Sequence, residues 1–301
     1  ASRGARRLIL CIAGAFALAA CHPGNELARR LRGECDAADV SACDSLAVRL
    51  QKGEYVLRDE KHAAELFDKA CTGGVGASCS RLGVAYQSAT GVKRDSARAF
   101  GLLRQGCERH AMDGCTQLGI LYRRGAGVPK DVPHAAQLFQ QACDGADMDG
   151  CAQLGALYAA GEGVAQDFTR AADLTRRSCS EKIAFGCLEL GRLHAAGTGV
   201  PRNDSTAAAL FDQSCEGGEA DGCVQHAIVL ENGTGVEQNF SKAGELYRET
   251  CERRNGDACA RLASLYERGA GVRRSTERAQ EFRKRACDYG RKDVCDKPKG
   301  A

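Results

Sequence analysis

Sixteen of the eighteen cysteines in this chain of 301 residues form eight pairs with one spacing. In each pair the second cysteine follows the first by eight residues, and successive pairs begin 36 residues apart without an insertion. The pairs are Cys35 and Cys43, Cys71 and Cys79, Cys107 and Cys115, Cys143 and Cys151, Cys179 and Cys187, Cys215 and Cys223, Cys251 and Cys259, and Cys287 and Cys295. A period of this length is typical of chains that stack one supersecondary unit many times. The cysteines therefore define a repeat.

Residues that recur in phase with the cysteines predict a first helix in each repeat. The third residue after the second cysteine is usually Leu, the fourth is Gly or Ala, and the seventh is often Tyr, as in Leu118, Gly119 and Tyr122. These positions share one face of a helix. The tiny residue on that face would let a neighbouring helix approach closely.

A glycine-rich turn and a polar cap predict a second helix. Gly125 and Gly127 mark the turn of one repeat, and Asp131 begins the helix that carries Ala135. Glycine accepts the left-handed conformation at a helix C-terminus, and Asp, Asn and Ser are good N-caps. The predicted caps are Asp59, Asp95, Asp131, Asp167, Asn203, Asn239 and Ser275. A further row is predicted to cap the first helices, namely Asp113, Asp149, Asp221, Asp257 and Asp293.

Each cysteine pair then straddles the joint between one hairpin and the next. A structural zinc site would need four ligands, whereas these cysteines come in twos, and no C-x-x-C redox motif is present. We therefore predict one disulfide per joint. Closing a loop of this size stabilises the folded state by about 2 to 3 kcal/mol in the chain-entropy model.

The N-terminus predicts export. Arg3, Arg6 and Arg7 precede an apolar run over residues 8–20 that is too short to span a bilayer. The run ends in Leu-Ala-Ala before Cys21, which resembles a bacterial lipobox and predicts lipidation of that cysteine. Ordinary secretion after a small-residue cleavage site stays open as the alternative.

These signals give the predicted boundaries. Residues 1–20 are the signal peptide, 21–24 the lipidated anchor and linker, 25–295 the repeat domain and 296–301 a disordered tail. A single amphipathic helix over residues 25–34 would precede seven hairpins. Without the first three arginines the chain has 39 basic and 39 acidic residues, which gives no reason to expect a nucleic-acid partner.

The repeat resembles a known family. The pattern L-G-x-L-Y-x-x-G-x-G-V spans residues 118–128 and 154–164, and residues 190–200 repeat it with His in place of Tyr. This is similar to Sel1-like repeats, relatives of the tetratricopeptide repeat, and the paired cysteines resemble the Helicobacter cysteine-rich protein family. The resemblance implies an all-α, right-handed αα solenoid of seven hairpins. It also implies either a scaffold for protein partners or a β-lactam-binding or hydrolysing protein.

No catalytic motif in the sequence supports a β-lactam-binding or hydrolysing activity. A serine β-lactamase would need S-x-x-K with K-T-G, and neither occurs. A zinc enzyme would need clustered histidines, whereas the six are dispersed, with His194 and His226 at positions that elsewhere hold core residues. No catalytic residue, metal or cofactor is predicted. The hypothesis favoured is a monomeric, non-enzymatic adaptor, while β-lactamase activity stays open.

The candidate binding residues form one row on the first helices. In related solenoids these helices line a concave face, and the position two after the second cysteine carries long polar side chains. The row is Arg81, Gln117, Gln153, Glu189, Gln225 and Arg261. It predicts a groove for a protein, a peptide or a peptidoglycan-related ligand outside the cytoplasm, in the periplasm or at the cell surface. A merely solvated helix face is the alternative.

Overall fold

A computed structural model describes residues 23–295 of the chain, and this part is all-helical. The predicted signal peptide, the predicted lipidation site at Cys21 and the predicted tail over residues 296–301 lie outside the described residues. None of the helices described is long and apolar enough to cross a membrane.

The helices fall into two compact units, which divide after Gly145. In the first unit the helices are α1 (Pro23–Asp36), α2 (Val40–Lys52), α3 (Glu60–Thr72), α4 (Gly76–Ser88), α5 (Ser96–Glu108), α6 (Met112–Arg124) and α7 (Val132–Asp144). In the second unit they are α8 (Met148–Ala160), α9 (Phe168–Ser180), α10 (Ala184–Ala196), α11 (Asp204–Glu216), α12 (Ala220–Asn232), α13 (Phe240–Glu252), α14 (Gly256–Arg268) and α15 (Thr276–Asp288), followed by a 3₁₀ turn at Lys292–Val294.

Each unit is a series of helix hairpins that pack on their neighbours in sequence. The hairpins are α2 with α3, α4 with α5 and α6 with α7 in the first unit, and α8 with α9, α10 with α11, α12 with α13 and α14 with α15 in the second. The predicted all-α fold of seven hairpins is confirmed. Helix α1 precedes them as predicted, with Leu31 buried and Leu27 partly buried against the core of the first hairpin.

The joints between hairpins carry the predicted disulfides. Bridges join the cysteines eight apart at three joints of the first unit and four places in the second, with Cα–Cα distances between 4.3 and 5.1 Å. Cys143 and Cys151 belong to different units, and their pairing with each other stays a prediction. No cysteine described is a free thiol. Bridges at this density suggest an oxidising environment outside the cytoplasm.

The caps of the second helices are confirmed. All seven predicted residues, from Asp59 to Ser275, accept a hydrogen bond from a backbone N–H of the first turn that follows. These bonds satisfy donors that the helix itself leaves without a partner. They fix where each second helix begins.

The predicted caps of the first helices are wrong. Asp113 and its counterparts Asp149, Asp221 and Asp257 lie inside the first turn, and Asp293 lies in the 3₁₀ turn. The cap of α6 is Ala111, because His110 takes a left-handed conformation with φ +61° and reverses the chain two residues earlier than expected. The aspartates of the first helices lie near the positive end of the helix dipole instead, and Asp221 and Asp257 also pair with Arg192 and Arg291.

Beyond the first hairpin, the turn within a hairpin has glycine at the second position of the Gly-x-Gly motif, whereas the first hairpin has Tyr55 there with φ +59°. Gly199 has φ +69°, and a Cβ there would lie 2.1 Å from the carbonyl oxygen of Phe168. A side chain would therefore both strain the backbone and clash with it. The motif reflects close packing of the turn against the second helix of the preceding hairpin.

The tiny residues of the first helices allow the close contact that was predicted. A Cβ at Gly119 would lie 2.6 Å from the ring of Phe139, which is fully buried in α7. The second helices contribute two buried rows, the predicted alanines and the residues four positions later. The second row is Phe67, Leu103, Phe139, Thr175, Phe211 and Tyr247.

Removal of one bridge should lower stability without changing the fold. In the variant with Cys107→Ala and Cys115→Ala we expect the free energy of unfolding in urea to fall by about 2 to 3 kcal/mol, because the unfolded chain regains the entropy of an open loop. Non-reducing peptide mapping of the natural protein should link Cys107 to Cys115. A link from either cysteine to another joint would contradict the assignment.

The two aspartate rows should differ in their contribution to stability. Asp95→Ala removes a cap that accepts a bond from the backbone of Arg98, so a loss of about 1 kcal/mol is expected. Asp113→Ala removes only a dipole interaction, and the loss should be about 0.3 to 0.5 kcal/mol. Urea unfolding of both variants measures the difference. An equal or larger loss of unfolding free energy in Asp113→Ala would indicate that Asp113 is the cap.

Candidate functional site

The six candidate groove residues all lie on first helices, but their side chains differ in exposure. Gln117, Gln153 and Gln225 are half-buried, Arg261 is exposed, and Glu189 is 9% exposed. In the first unit α4 and α6 pack side by side, which places Arg81 and Gln117 on neighbouring first helices. In the second unit α8, α10 and α12 adjoin in the same way.

Gln117 lines an open cleft in the first unit. The cleft has a volume of about 510 Å³ and lies between α4 and α6, with Gln87 on one side and Ile120 and Leu121 on the other. Arg124 lies at its edge and is exposed. The lining thus combines amide groups, aliphatic surface and two positive charges, at Arg94 and Arg124. Such a surface can bind a peptide backbone through the amides and a side chain through the aliphatic residues.

Arg81 is held by a carboxylate that sequence reasoning missed. Asp44 accepts bonds from the guanidinium of Arg81 at 2.6 Å and from the hydroxyl of Ser78 at 2.6 Å. The guanidinium also lies over the ring of Phe67, 5.9 Å from its centre. Asp44 stands at a position that most repeats fill with a small or apolar residue, and this polarity was the available signal.

In the second unit Glu189 forms an ion pair within its own helix. Its carboxylate accepts a bond from Arg192 at 2.5 Å, and Arg192 also lies 3.9 Å from Asp221 on the following first helix. The pair explains how a carboxylate can be nearly buried on this face. Glu189 therefore presents less of its charge to a ligand than the sequence row suggests.

Beside Arg261 lies a buried tyrosine. The Tyr247 hydroxyl donates to Glu231 at 2.9 Å, and Glu231 also pairs with Arg268. Burial raises the pKa of Tyr247 above its usual range, the Glu231 carboxylate adds to the shift, and Arg261 opposes it. The phenol therefore stays neutral and acts as a structural hydrogen-bond donor.

The two histidines singled out in the sequence both contact protein groups. His226 is buried, and its Nδ1 lies 2.9 Å from Asp212 without the alignment of a hydrogen bond. Burial lowers the pKa of His226, while the Asp212 carboxylate raises it in part. His194 Nδ1 lies 3.3 Å from the carbonyl oxygen of Pro201. Across residues 23–295, no three His, Cys, Asp or Glu side chains are grouped so that they could hold a metal ion.

The repeats match one family throughout. The Sel1 repeat matches seven times, at residues 40–75, 76–110, 113–147, 149–182, 184–219, 220–255 and 256–290. No curated protein matches the chain.

Solved structures of Sel1 repeat proteins share the fold. A Sel1 repeat protein from Oxalobacter formigenes is 20% identical over 89% of this chain and 77% of that chain, with a TM-score of 0.62. The antigen c5321, a protective antigen of uropathogenic Escherichia coli strains, is 24% identical over 89% of this chain with a TM-score of 0.61. The match covers 57% of the antigen's chain, so the present protein spans little more than half of its length.

A cysteine-rich protein also matches. The cysteine rich protein B of Helicobacter pylori is 31% identical over 43% of this chain and 93% of that chain, with a TM-score of 0.35. The seven family matches cover nearly all of residues 40–290 and coincide with the seven helix hairpins. The chain therefore belongs to the Sel1 repeat family.

Proposed function

We propose that the protein is a lipid-anchored scaffold outside the cytoplasm that binds a partner protein through the first-helix face. Sel1 repeat proteins are generally modules for protein interaction, which supports the class of function. The disulfides support the compartment. The lipid anchor depends on Cys21, and the binding of a partner depends on the face of the first helices that carries Gln117.

The observation that carries the proposal is the cleft beside Gln117. Its amides, at Gln87 and Gln117, can replace the hydrogen bonds that a peptide backbone makes with water, and Ile120 and Leu121 offer apolar surface at the same place. The bridged joints at the starts of α4 and α6 hold these two helices in position before binding. A partner would then bind without a large entropic cost of ordering the scaffold.

A photo-cross-linker can test this surface. With p-benzoylphenylalanine in place of Gln117, irradiation in envelope extracts should give a defined adduct, because the side chain would lie within reach of the partner. The same residue in place of Gln137, which is exposed on the second helix α7, is the matched control. Adducts should be identified by mass spectrometry.

Two outcomes would count against the scaffold. Equal adducts from both positions, or adducts at Gln137 alone, would remove the cleft from consideration. Turnover of a chromogenic cephalosporin by the oxidised protein, or saturable labelling by a fluorescent penicillin, would favour the β-lactam alternative. That alternative has no residue assignment in this chain.

The anchor at Cys21 has a separate test. Cells that express the natural protein and are fed an alkyne-bearing palmitate should give a labelled, membrane-associated product, because acyl chains partition into the bilayer. Cys21→Ser should abolish the label and release the protein from the membrane fraction. A label that survives in this variant would contradict lipidation at Cys21, and an unlabelled natural protein in the soluble fraction would favour simple secretion.

A further inference from the structure

Four arginines line one open pocket at the C-terminal end of the second unit. The arginine pocket has a volume of about 700 Å³ and is lined by Arg248, Arg273, Arg274 and Arg278, together with Tyr266 and Ser275. Arg248 projects from α13, Arg273 and Arg274 come from the turn before α15, and Arg278 lies in its first turn. Three chain segments thus bring positive charge to one place.

None of the four guanidinium groups is neutralised by the protein. Among residues 23–295, no carboxylate lies within ion-pair distance of these four groups. Most other arginines of the second unit have such a partner, as Arg202 has Asp204 and Arg285 has Glu281. None of the residues that line the pocket is acidic. Arg278 instead lies over the ring of Tyr266, 5.7 Å from its centre. The pocket therefore holds four charges that repel one another and lack a counter-charge.

The other repeats show that the fold does not require these arginines. Two hairpins have Asp68 and Asp212 at the position of Arg248, and two have Gln166 and Gln238 at the position of Arg274. Other hairpins keep a basic residue at these positions, such as Arg104 and Arg202. The corresponding pocket of an earlier hairpin, beside Tyr86, includes Glu65 and Asp68. The same backbone arrangement thus forms a pocket of mixed charge beside Tyr86 and a pocket with only positive charge beside Tyr266.

We propose that the arginine pocket binds an acidic segment of a partner polypeptide through several carboxylates at once. A guanidinium group matches a carboxylate with two parallel hydrogen bonds. The pocket is open and its arginines come from three segments, so a single small anion would stay largely hydrated and pair with only some of the arginines. A run of carboxylates along an extended chain can pair with all four. No residue of the groove row lines this pocket, so the proposal stands apart from the cleft beside Gln117.

The variants for the test take their residues from the chain's own repeats. Arg248→Asp and Arg274→Gln place in the pocket the residues that stand at the same phase elsewhere, so the fold should tolerate them. The control combines Arg104→Asp with Arg202→Gln, which makes the same substitutions at the same two phases and changes the net charge equally. Both control arginines already have carboxylate partners, Glu108 and Asp204.

The probe is a short fluorescein-labelled peptide of alternating glutamate and glycine, measured by fluorescence anisotropy with the oxidised full-length protein. We expect saturable binding that weakens as salt is raised, because the charges are accessible to counter-ions. The variant with Arg248→Asp and Arg274→Gln should bind roughly tenfold or more weakly, since charge-assisted bonds are lost. The control variant should stay within about twofold of the natural protein.

The proposal would be overturned by an equal loss in both double variants, which would indicate attraction by net charge alone, or by unchanged affinity in the pocket variant. Complete displacement of the peptide by inorganic phosphate at equimolar concentration would assign the pocket to a phosphate group instead. Circular dichroism checks folding in each case. If the double pocket variant fails to fold, Arg274→Gln alone, at an exposed turn position, decides the same question.

Discussion

The structure depends on the covalent link between the end of one hairpin and the start of the next. Each bridged joint closes a short loop, and the two cysteines lie one on each of the helices that meet there, as Cys71 in α3 and Cys79 in α4 do. The chain contains no Trp and only 5% aromatic residues, so each hairpin buries a thin layer of Ala, Leu and one larger side chain. Such a layer contributes modest hydrophobic stabilisation. The bridges add stability where the core is thin.

Constant helix length lets this arrangement repeat. The helices α2 to α15 are all thirteen residues long, and Gly199 shows how close packing excludes a side chain from the turn of one such hairpin. Buried positions therefore recur at the same places in each hairpin, while the residues at exposed positions vary. This variation produces the cleft beside Gln117 and the arginine pocket.

The sequence predicted the fold well because its strongest signals are local. Cysteine spacing, glycine turns and the caps from Asp59 to Ser275 each act over a few residues, and all of them are found where expected. The cap of α6 was misplaced because His110, which takes the left-handed conformation there, is not a glycine. The available signal was in other repeats, where Gly74, Gly218 and Gly290 stand at the same position with positive φ. The buried row that includes Phe67 and Thr175 was missed because its members differ in chemistry and share only their burial.

The candidate site was less predictable for a different reason. The groove row takes one position on each of six first helices, but charge partners decide what that position presents. Asp44 binds Arg81 through a contact between helices that no spacing rule reveals. The pair of Arg192 with the nearly buried Glu189 follows the i, i+3 spacing of a helix, but its partial burial does not follow from that spacing. The arginine pocket needs three segments to come together, so Arg248 and Arg274 could not be associated from the sequence.

The bridges also have a consequence for the order in which the chain can mature. Every bridge described joins residues only eight apart, so on the proposed export route its second cysteine would leave a translocation channel shortly after the first. Oxidation can therefore proceed from the N-terminus to the C-terminus, with each pair closed before the next one is exposed. No correct bridge has to wait for a distant thiol, and the local partner always has the highest effective concentration. Such short spans would reduce the need for an isomerase to rearrange mispaired cysteines.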